Sequence, residues 1–568
     1  MDDELKRLIR GIALLNASEH DGKTRNDSII SKVIGAKPEL RSRIKDVIPL
    51  ISQAVEDINK LSVESQRTEL ESKYAELLIV KPKQERIGLP TLEGAEQGNV
   101  ITRFPPEPNG YPHIGHAKAS IIDEEYAKMY GGKLILRFDD TNPEKERLEY
   151  YAAIKVGLDW LGVKYDLIKN TSDDMEIIYQ KGKELIDLGH AYVCTCDQET
   201  ISKNRREMMS CKCRAGDLDQ SNSRWNKMFD KFKPGEAIVR FRGDMSSENT
   251  VMRDPTLFRI IDEPHPIHKD KYRVWPNYDF AVAIEDSIDG ITHAFRTKEY
   301  ELRTELYYTL LDKLNMRKPK MLEFSRLEFE GMPVSKRVLK PLVEEGKVSG
   351  FDDPRLPTLE GLRRRGIVPE AIRKFVLSLG FTKSDTLPPF ETLESYNRKI
   401  IDPTSVRLFI VFDPVKLTVV NNNLAEVEIS NHPQNDMGKR RVVIDGNFYI
   451  SGNDARPLKI GDEVRLLELY NIRITKTGPE MEGEVTGTGY KSDIPKIQWI
   501  SRKDPVRIEV LISNVLFIND QFNENSLEVK QAMTEQYYLE LNVGAQIQFV
   551  RFGYCRKDSA NQAIYTHK

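Results

Sequence analysis

Two histidines three residues apart, His113 and His116, close the string Thr102-Arg103-Phe104-Pro105-Pro106-Glu107-Pro108-Asn109-Gly110-Tyr111-Pro112-His113-Ile114-Gly115-His116. That spacing at a helix start puts both imidazoles on one face. The free backbone N–H groups and the dipole of a helix N-terminus favour phosphate there, and Gly115 leaves room for a flat base or ribose. The chemistry this suits is attack on an α-phosphate, with stabilisation of the charge that develops. A His-x-x-His pair alone is more often structural; its place after a strand and a proline-rich loop points to function.

Cys194-Thr195-Cys196 and Cys211-Lys212-Cys213 form a second constellation, two C-x-C pairs separated by 14 residues. Four thiolates in two close pairs suit a tetrahedral structural Zn²⁺. The single intervening residue is tighter than the usual two to four, and reduced, unliganded cysteines are the alternative. Cys555 reads as an isolated thiol. His265 and His268, in His265-Pro266-Ile267-His268, read as surface residues rather than ligands.

The elements that must position these groups change along the chain. A length of 568 residues suggests three to five domains at roughly 150 residues each. Leu5, Leu8, Ile9, Ile12 and Leu15 follow the helical period, as do Ile44, Val47, Ile48, Ile51, Val55, Ile58 and Leu61, with Pro49 expected at a break or kink. Lys81 to Glu85 and the stretch from Gly88 to Gly98 read as linker. Val100 to Phe104 is a short β run, a helix from about His113 stops at Gly131-Gly132, and Lys133 to Phe138 is the next strand. Asp139-Asp140-Thr141-Asn142-Pro143 then opens another helix. Strand and helix alternating in this way predict a parallel sheet, whose ligands bind beyond the carboxyl ends of the strands, where Arg103 and Asp139 fall. From about 400 onward, Val/Ile/Leu-rich runs (Val406 to Val411, Lys416 to Val420, Arg441 to Ile444, Ile508 to Ile512) alternate with turns and predict all-β barrels.

Composition excludes little. Lys and Arg number 85 against 88 Asp and Glu, a net charge of −3, which neither requires nor forbids nucleic acid, because the local field decides. No stretch approaches the roughly 20 apolar residues of a membrane helix. The start, Met1-Asp2-Asp3-Glu4, lacks the layout of a secretory signal, and five cysteines make no disulfide framework, so the expected compartment is the cytoplasm.

His113-Ile114-Gly115-His116 resembles the HIGH signature of class I aminoacyl-tRNA synthetases. The longer string to Lys118, with Leu136-Arg137-Phe138-Asp139-Asp140-Thr141-Asn142-Pro143, is similar to the glutamyl/glutaminyl branch. Gly331-Met332-Pro333-Val334-Ser335-Lys336-Arg337 resembles the KMSKS loop in its SKR form; Pro333 stands where the consensus has lysine, so the role falls to Lys336. The resemblance implies ATP contacts from His113, Gly115, His116, Ser335 and Lys336, with His113, His116 and Lys336 catalytic. It implies glutamate contacts from Arg103, Asp139, Tyr278 and Arg296. Arg296 is the discriminator, because a second cation beside a γ-carboxylate is favourable and a neutral amide would leave buried charge poorly compensated.

The implied fold is multidomain: an α/β Rossmann-like class I catalytic domain with an inserted acceptor-binding domain, an N-terminal helical region and C-terminal all-β barrels. The expected boundaries are 1–92 for the helices, 97–173 and 277–327 for the catalytic halves, and 174–276 for the insertion. The SKR loop and helical subdomain take 328–400, and the anticodon-binding barrels 401–568. Bacterial glutamyl enzymes are helical in that last region, so the β runs indicate the archaeal type. The implied substrates are L-glutamate, ATP with Mg²⁺ and tRNA(Glu), with tRNA(Gln) an open second acceptor; protein partners are not specified. Arg363-Arg364-Arg365 reads as a solvated helix face or, in a tRNA-binding chain, a phosphate contact. Three rivals remain: a glutaminyl enzyme, a stand-alone nucleotidyltransferase, and a non-catalytic tRNA-binding paralogue.

Overall fold

A strand buried on both faces must be apolar throughout, and Lys133–Phe138 nearly is: Lys133 is exposed and the next five residues are buried, Arg137 among them. It is β2 of a parallel sheet whose first strand, β1, is Ile101–Phe104 and whose third, β3, is Leu167–Asn170. The computed structural model describes residues 2–19, 22–37, 44–74, 89–385 and 387–568, and the chain divides into two units, Met1–Ile87 and Gly88–Lys568.

The helix Ile114–Met129 joins β1 to β2. It ends as its glycines require: Gly131 takes a positive φ of 59°, and a Cβ on Gly132 would lie 1.9 Å from the Val100 carbonyl oxygen. After β3 the chain leaves the sheet for three helices and an antiparallel sheet of β4 (Ala191–Cys194), β5 (Ile238–Phe241), β6 (Thr256–Ile260) and β7 (Val274–Pro276). It returns through the helix Tyr278–Ile288 to β8 (His293–Thr297) and β9 (Lys320–Phe324), which pair in parallel. Thr292 N–H donates to the Ile101 carbonyl at 2.9 Å and sets β8 beside β1, so the strands run β3–β2–β1–β8–β9. The order reverses between β1 and β8, and the crevice at the carboxyl ends of those two strands is where such sheets bind ligands.

Beyond β9 come the helices Lys336–Glu344, Leu359–Arg365, Pro369–Ser378 and Phe390–Ile401, then two seven-stranded sheets. Their chain order is interleaved. Strands Val406–Leu408 and Ile410–Phe412 pair with Gln546–Phe549 and Leu527–Thr534 near the C-terminus, while Pro414–Ser501 builds the other sheet between them.

The N-terminal unit consists, among the described residues, of the helices Asp2–Glu19, Asn26–Ala36, Ile44–Asn59 and Val63–Lys73 around Ile9, Leu14, Val33, Ile51 and Ile58. The expected break at Pro49 does not occur, since the helix Ile44–Asn59 runs through it. One lost backbone bond is outweighed by the buried row Val47, Ile51, Val55 and Ile58. Lys81 to Glu85 lies outside the described residues. The stretch after Gly88 is not free linker, because Leu89 and Leu92 are buried in the core that holds β1 and β2. Among the described residues no helix is long and apolar enough to cross a membrane.

Candidate active site

His113 is the N-cap of the helix that leads away from β1. Its Nδ1 accepts the Gly115 N–H at 3.1 Å, and His116 Nδ1 accepts the His113 N–H at 3.2 Å, a reciprocal cap that satisfies two free donors of the helix start. The ring centroids stand 4.0 Å apart. Burial pushes His116 down to about 4 and His113 well below the ordinary imidazole value; the positive field of Arg326 adds to both, and that of His116 to His113. Both rings are therefore neutral, and with Nδ1 accepting, each carries its proton on Nε2 as a hydrogen-bond donor. Gly115 has a nearer reason than room for a ligand: a Cβ there would lie 2.9 Å from His113 Cε1, so glycine makes space for the histidine itself.

Lys336 begins the helix Lys336–Glu344, with Ser335 as N-cap. Its Nζ donates to the Asn109 carbonyl, in the loop just before the histidines, and lies 5.0 Å from the Tyr150 ring centroid. The lysine and histidine motifs, over 200 residues apart in sequence, thus meet at one loop. Burial, with Lys340 nearby, lowers the Lys336 ammonium below its ordinary value.

At the crevice between β1 and β8 the structure gathers all four residues of the proposed amino-acid set. Arg103, on β1, is wholly buried; its Nε donates to Asp286 Oδ1 at 3.0 Å and its Nη1 to the Phe295 carbonyl at 2.6 Å. Arg137, from β2, lies 2.9 Å from the same Asp286 oxygen and donates to Asp139 Oδ1 at 3.0 Å. Arg296, on β8, donates to Thr304 and lies over the Tyr307 ring, whose hydroxyl donates to Asp286 at 3.2 Å. Tyr278 starts the helix that carries Asp286, and its ring is 5.1 Å from that of Tyr300. Burial opposes the charge of Arg103, but Asp286 more than restores it; for Asp286, burial is outweighed by Arg103 and Arg137. Burial raises Asp139 despite Arg137.

Three buried atoms of these four residues have no hydrogen-bond partner, Arg103 Nη2, Arg296 Nε and Asp139 Oδ2, and neither does Nη2 of the adjoining Arg137. Unpaired buried polar groups are costly. Two guanidinium donors and one carboxylate acceptor are the complement of an amino acid that carries a side-chain carboxylate and an ammonium group.

A family model described as tRNA synthetases class I (E and Q), catalytic domain, matches residues 99–403, and two described as the anti-codon binding domain of the same synthetases match 405–492 and 496–558. The chain belongs to the class I (E and Q) tRNA synthetases. Among its relatives, the glutamate–tRNA ligase of Nitrosopumilus maritimus is 60% identical over 100% of both chains. That of Cenarchaeum symbiosum is 54% identical over 98% of both, and that of Pyrococcus furiosus 38% identical over 100% of both. A crystal structure of a glutamate tRNA ligase from Elizabethkingia meningosepticum aligns at 19% identity and a TM-score of 0.41, covering 54% of this chain and 70% of that one.

In this synthetase the four cysteines also converge. Cys194 at the end of β4, Cys196, Cys211 and Cys213 place their sulfurs within 4.8 Å of one another, with 3.8 Å separating Cys194 from Cys211 and Cys196 from Cys213. Four thiolates at about 2.3 Å from one tetrahedral ion would stand about 3.8 Å apart, so the donor set fits a zinc ion. A hydrogen bond from Cys194 holds the Cys211 thiol below its ordinary value.

Two sequence readings are corrected. His265 is not at the surface: it is fully buried, with Nε2 at 3.2 Å from the Asp140 carbonyl and 3.3 Å from Glu146 Oε2, and it ties the insertion to the loop that carries Asp139. The arginine run is a solvated face only at Arg363. Arg364 pairs with Asp558 at 2.8 Å, and Arg365 is buried against Glu394 at 3.0 Å with Phe390 beneath it. Cys555 is buried and its thiol is pushed up by burial. Sequence reasoning missed Arg137, Asp286 and Arg326 as parts of the site. The signal for two of them was present: Arg137 interrupts an apolar strand, and Asp286 an apolar helix, Phe280 to Ile284.

Proposed function

We propose that this synthetase joins L-glutamate to tRNA(Glu) in two steps, with MgATP as the co-substrate that class I membership implies. The carrying observation is the set of unpartnered buried atoms on Arg103, Arg296 and Asp139 at the crevice. Arg103 and Arg296 take the γ-carboxylate, Asp139 takes the α-ammonium group, and Tyr278 flanks them. A neutral glutamine amide would offer the free N–H donors of Arg103 and Arg296 a weaker acceptor than a carboxylate does, which favours glutamate.

In the first step the glutamate α-carboxylate oxygen bonds to the α-phosphorus of ATP, and the bond from that phosphorus to the bridging oxygen breaks to release pyrophosphate. His113 and His116 donate Nε2–H to phosphate oxygens without adding charge, and the Lys336 ammonium, brought in by its loop with Ser335 beside it, offsets the charge on the departing pyrophosphate. In the second step the 2′-hydroxyl oxygen of the terminal tRNA ribose bonds to the acyl carbon, the bond from that carbon to the adenylate phosphate oxygen breaks, and the hydroxyl proton leaves with AMP. Positioning and fixed donors carry the rate in this reading; no side-chain general base is assigned. The residues 174–276 take the acceptor end, and the β sheets after 401 take the anticodon.

Cys194, Cys196, Cys211 and Cys213 hold a structural zinc ion in this reading, which cross-links the insertion and takes no part in the chemistry. Metal analysis of the purified chain tests this: one zinc per chain, lost in Cys211→Ser, is expected, and a metal-free chain that folds normally refutes it.

The deciding test is ATP-dependent charging of unfractionated tRNA with labelled glutamate and labelled glutamine, beside Lys336→Ala, with purified tRNA(Gln) as a second acceptor. Charging by glutamate alone, lost in the variant, is expected. Charging by glutamine would remove Arg296 as the discriminator, and charging by neither would favour a tRNA-binding paralogue.

A further inference from the structure

Tyr490 is 73% exposed, and no other large apolar side chain among the described residues is as open to solvent. It stands in the loop between the strands Glu480–Gly487 and Lys496–Ile497. That loop is held from several sides. Arg465 Nη1 donates to the Thr488 carbonyl at 3.0 Å, and the buried Asn471 Nδ2 donates to the Gly489 carbonyl at 2.7 Å. Lys496 Nζ donates to the Ser492 carbonyl at 2.6 Å, and Lys491 Nζ bonds Glu463 at 2.7 Å. Four side chains thus order a loop whose aromatic residue faces solvent. An exposed ring held in place has already lost the conformational freedom that binding would otherwise remove.

The surroundings of the ring fit one kind of ligand. The Lys496 ammonium lies 5.3 Å and the Arg465 guanidinium 6.0 Å from its centroid, so a phosphate reaching this spot meets two cations. A Cβ on the neighbouring Gly489 would meet nothing within 4 Å, so the approach is open. An aromatic face beside cations is how proteins hold single-stranded nucleic acid: the base stacks and the backbone is neutralised.

We propose that Tyr490 is a stacking platform for an unpaired nucleobase of the tRNA, with Arg465 and Lys496 facing the adjoining phosphates. This rests on the tRNA reading given above and goes beyond it in naming the contact.

The test is binding of a fluorescent anticodon stem-loop RNA to the full chain by anisotropy, for the wild type, Tyr490→Ala and Tyr490→Trp. A duplex hairpin copying the acceptor stem serves as a second probe, and thermal unfolding of each variant is recorded alongside. The expected result is stem-loop binding weakened roughly tenfold in Tyr490→Ala, restored in Tyr490→Trp, with hairpin binding and the unfolding midpoint unchanged. Stem-loop binding as tight in Tyr490→Ala as in the wild type would overturn the proposal. Equal weakening toward both RNAs would also overturn it, since it would mark a general loss of field. Glutamate charging by the wild type is read separately, so failure of the platform and failure of the tRNA reading are distinguishable.

Discussion

The two ends of the catalytic crevice are built on opposite electrostatic plans. At the amino-acid end, Arg103, Arg137 and Asp286 are full charges at zero exposure, each fixed by at least two partners. At the phosphate end the two histidines are neutral, and the cations beside them are open to solvent in part, Lys336 half-buried on a loop and Arg326 exposed. The difference follows from the tasks. Choosing a carboxylate side chain over its amide requires charges that are already in place and cannot relax. A triphosphate that changes its charge distribution as it reacts is better served by neutral donors and a cation that can be brought up.

The largest effect should come from breaking the fixed end. Asp286 is shared by Arg103, Arg137 and the Tyr307 hydroxyl. Asp286→Ala would leave buried guanidinium groups short of an anion, and chemical denaturation should show a loss of about 3–5 kcal/mol. A loss below about 1 kcal/mol would mean that the frame is not fixed as argued.

Next comes Arg296→Ala, which should lower kcat/KM for glutamate roughly 10²- to 10³-fold, the cost of removing one partner from a buried charge pair. Its stability cost should be small, because Glu323, 3.9 Å from the Arg296 guanidinium, keeps Lys383 at 2.6 Å. A change confined to stability would strip Arg296 of any part in selection.

How much of this was legible in sequence follows the same division. The helix cap that holds His113 and His116 is local, so a few residues encode it, and strand β2 was read to the residue. The shared carboxylate was not legible, since Arg103 and Asp286 are 183 positions apart and meet only once β1 and β8 are neighbours. His265 was misread because its burial depends on Asp140 and Glu146, more than 100 residues earlier. The interleaved strands at 406–412 were legible as strands but not as members of the last sheet, because pairing partners carry no local mark.

A third change reaches the phosphate end from a distance. Gly331, in the lysine loop, has φ +67°, and a Cβ there would lie 2.5 Å from Val515 Cγ1 and 2.7 Å from the Phe517 carbonyl oxygen. Phe517 N–H also donates to the Gly331 carbonyl at 3.0 Å. Gly331→Val should displace the loop and cut pyrophosphate exchange by about tenfold, for a strain of about 1–3 kcal/mol, while KM for glutamate stays within about twofold. A matching rise in that KM would show that the two ends move together.

The smallest expected effect is the sharpest test of the neutral end. Burial keeps His116 down at about 4 and His113 well below its ordinary value, whereas unfolded histidines protonate near 6.5. The folded chain then binds fewer protons than the unfolded one between those values, so this contribution to stability is complete above about pH 6.5 and is lost as pH falls toward 4. In activity, neutral donors predict no histidine limb in adenylate formation from about pH 6 to 8. Asp140 and Glu146, which burial raises to about 7 and about 8, titrate in that window beside the amino-acid site, so a limb must be assigned by difference. The pH profile of His116→Asn should lie below that of the wild type and keep its shape. A limb near 6.5 present in the wild type and absent from the variant would make the imidazolium the working form. The phosphate end would then rely on charge as much as the amino-acid end does.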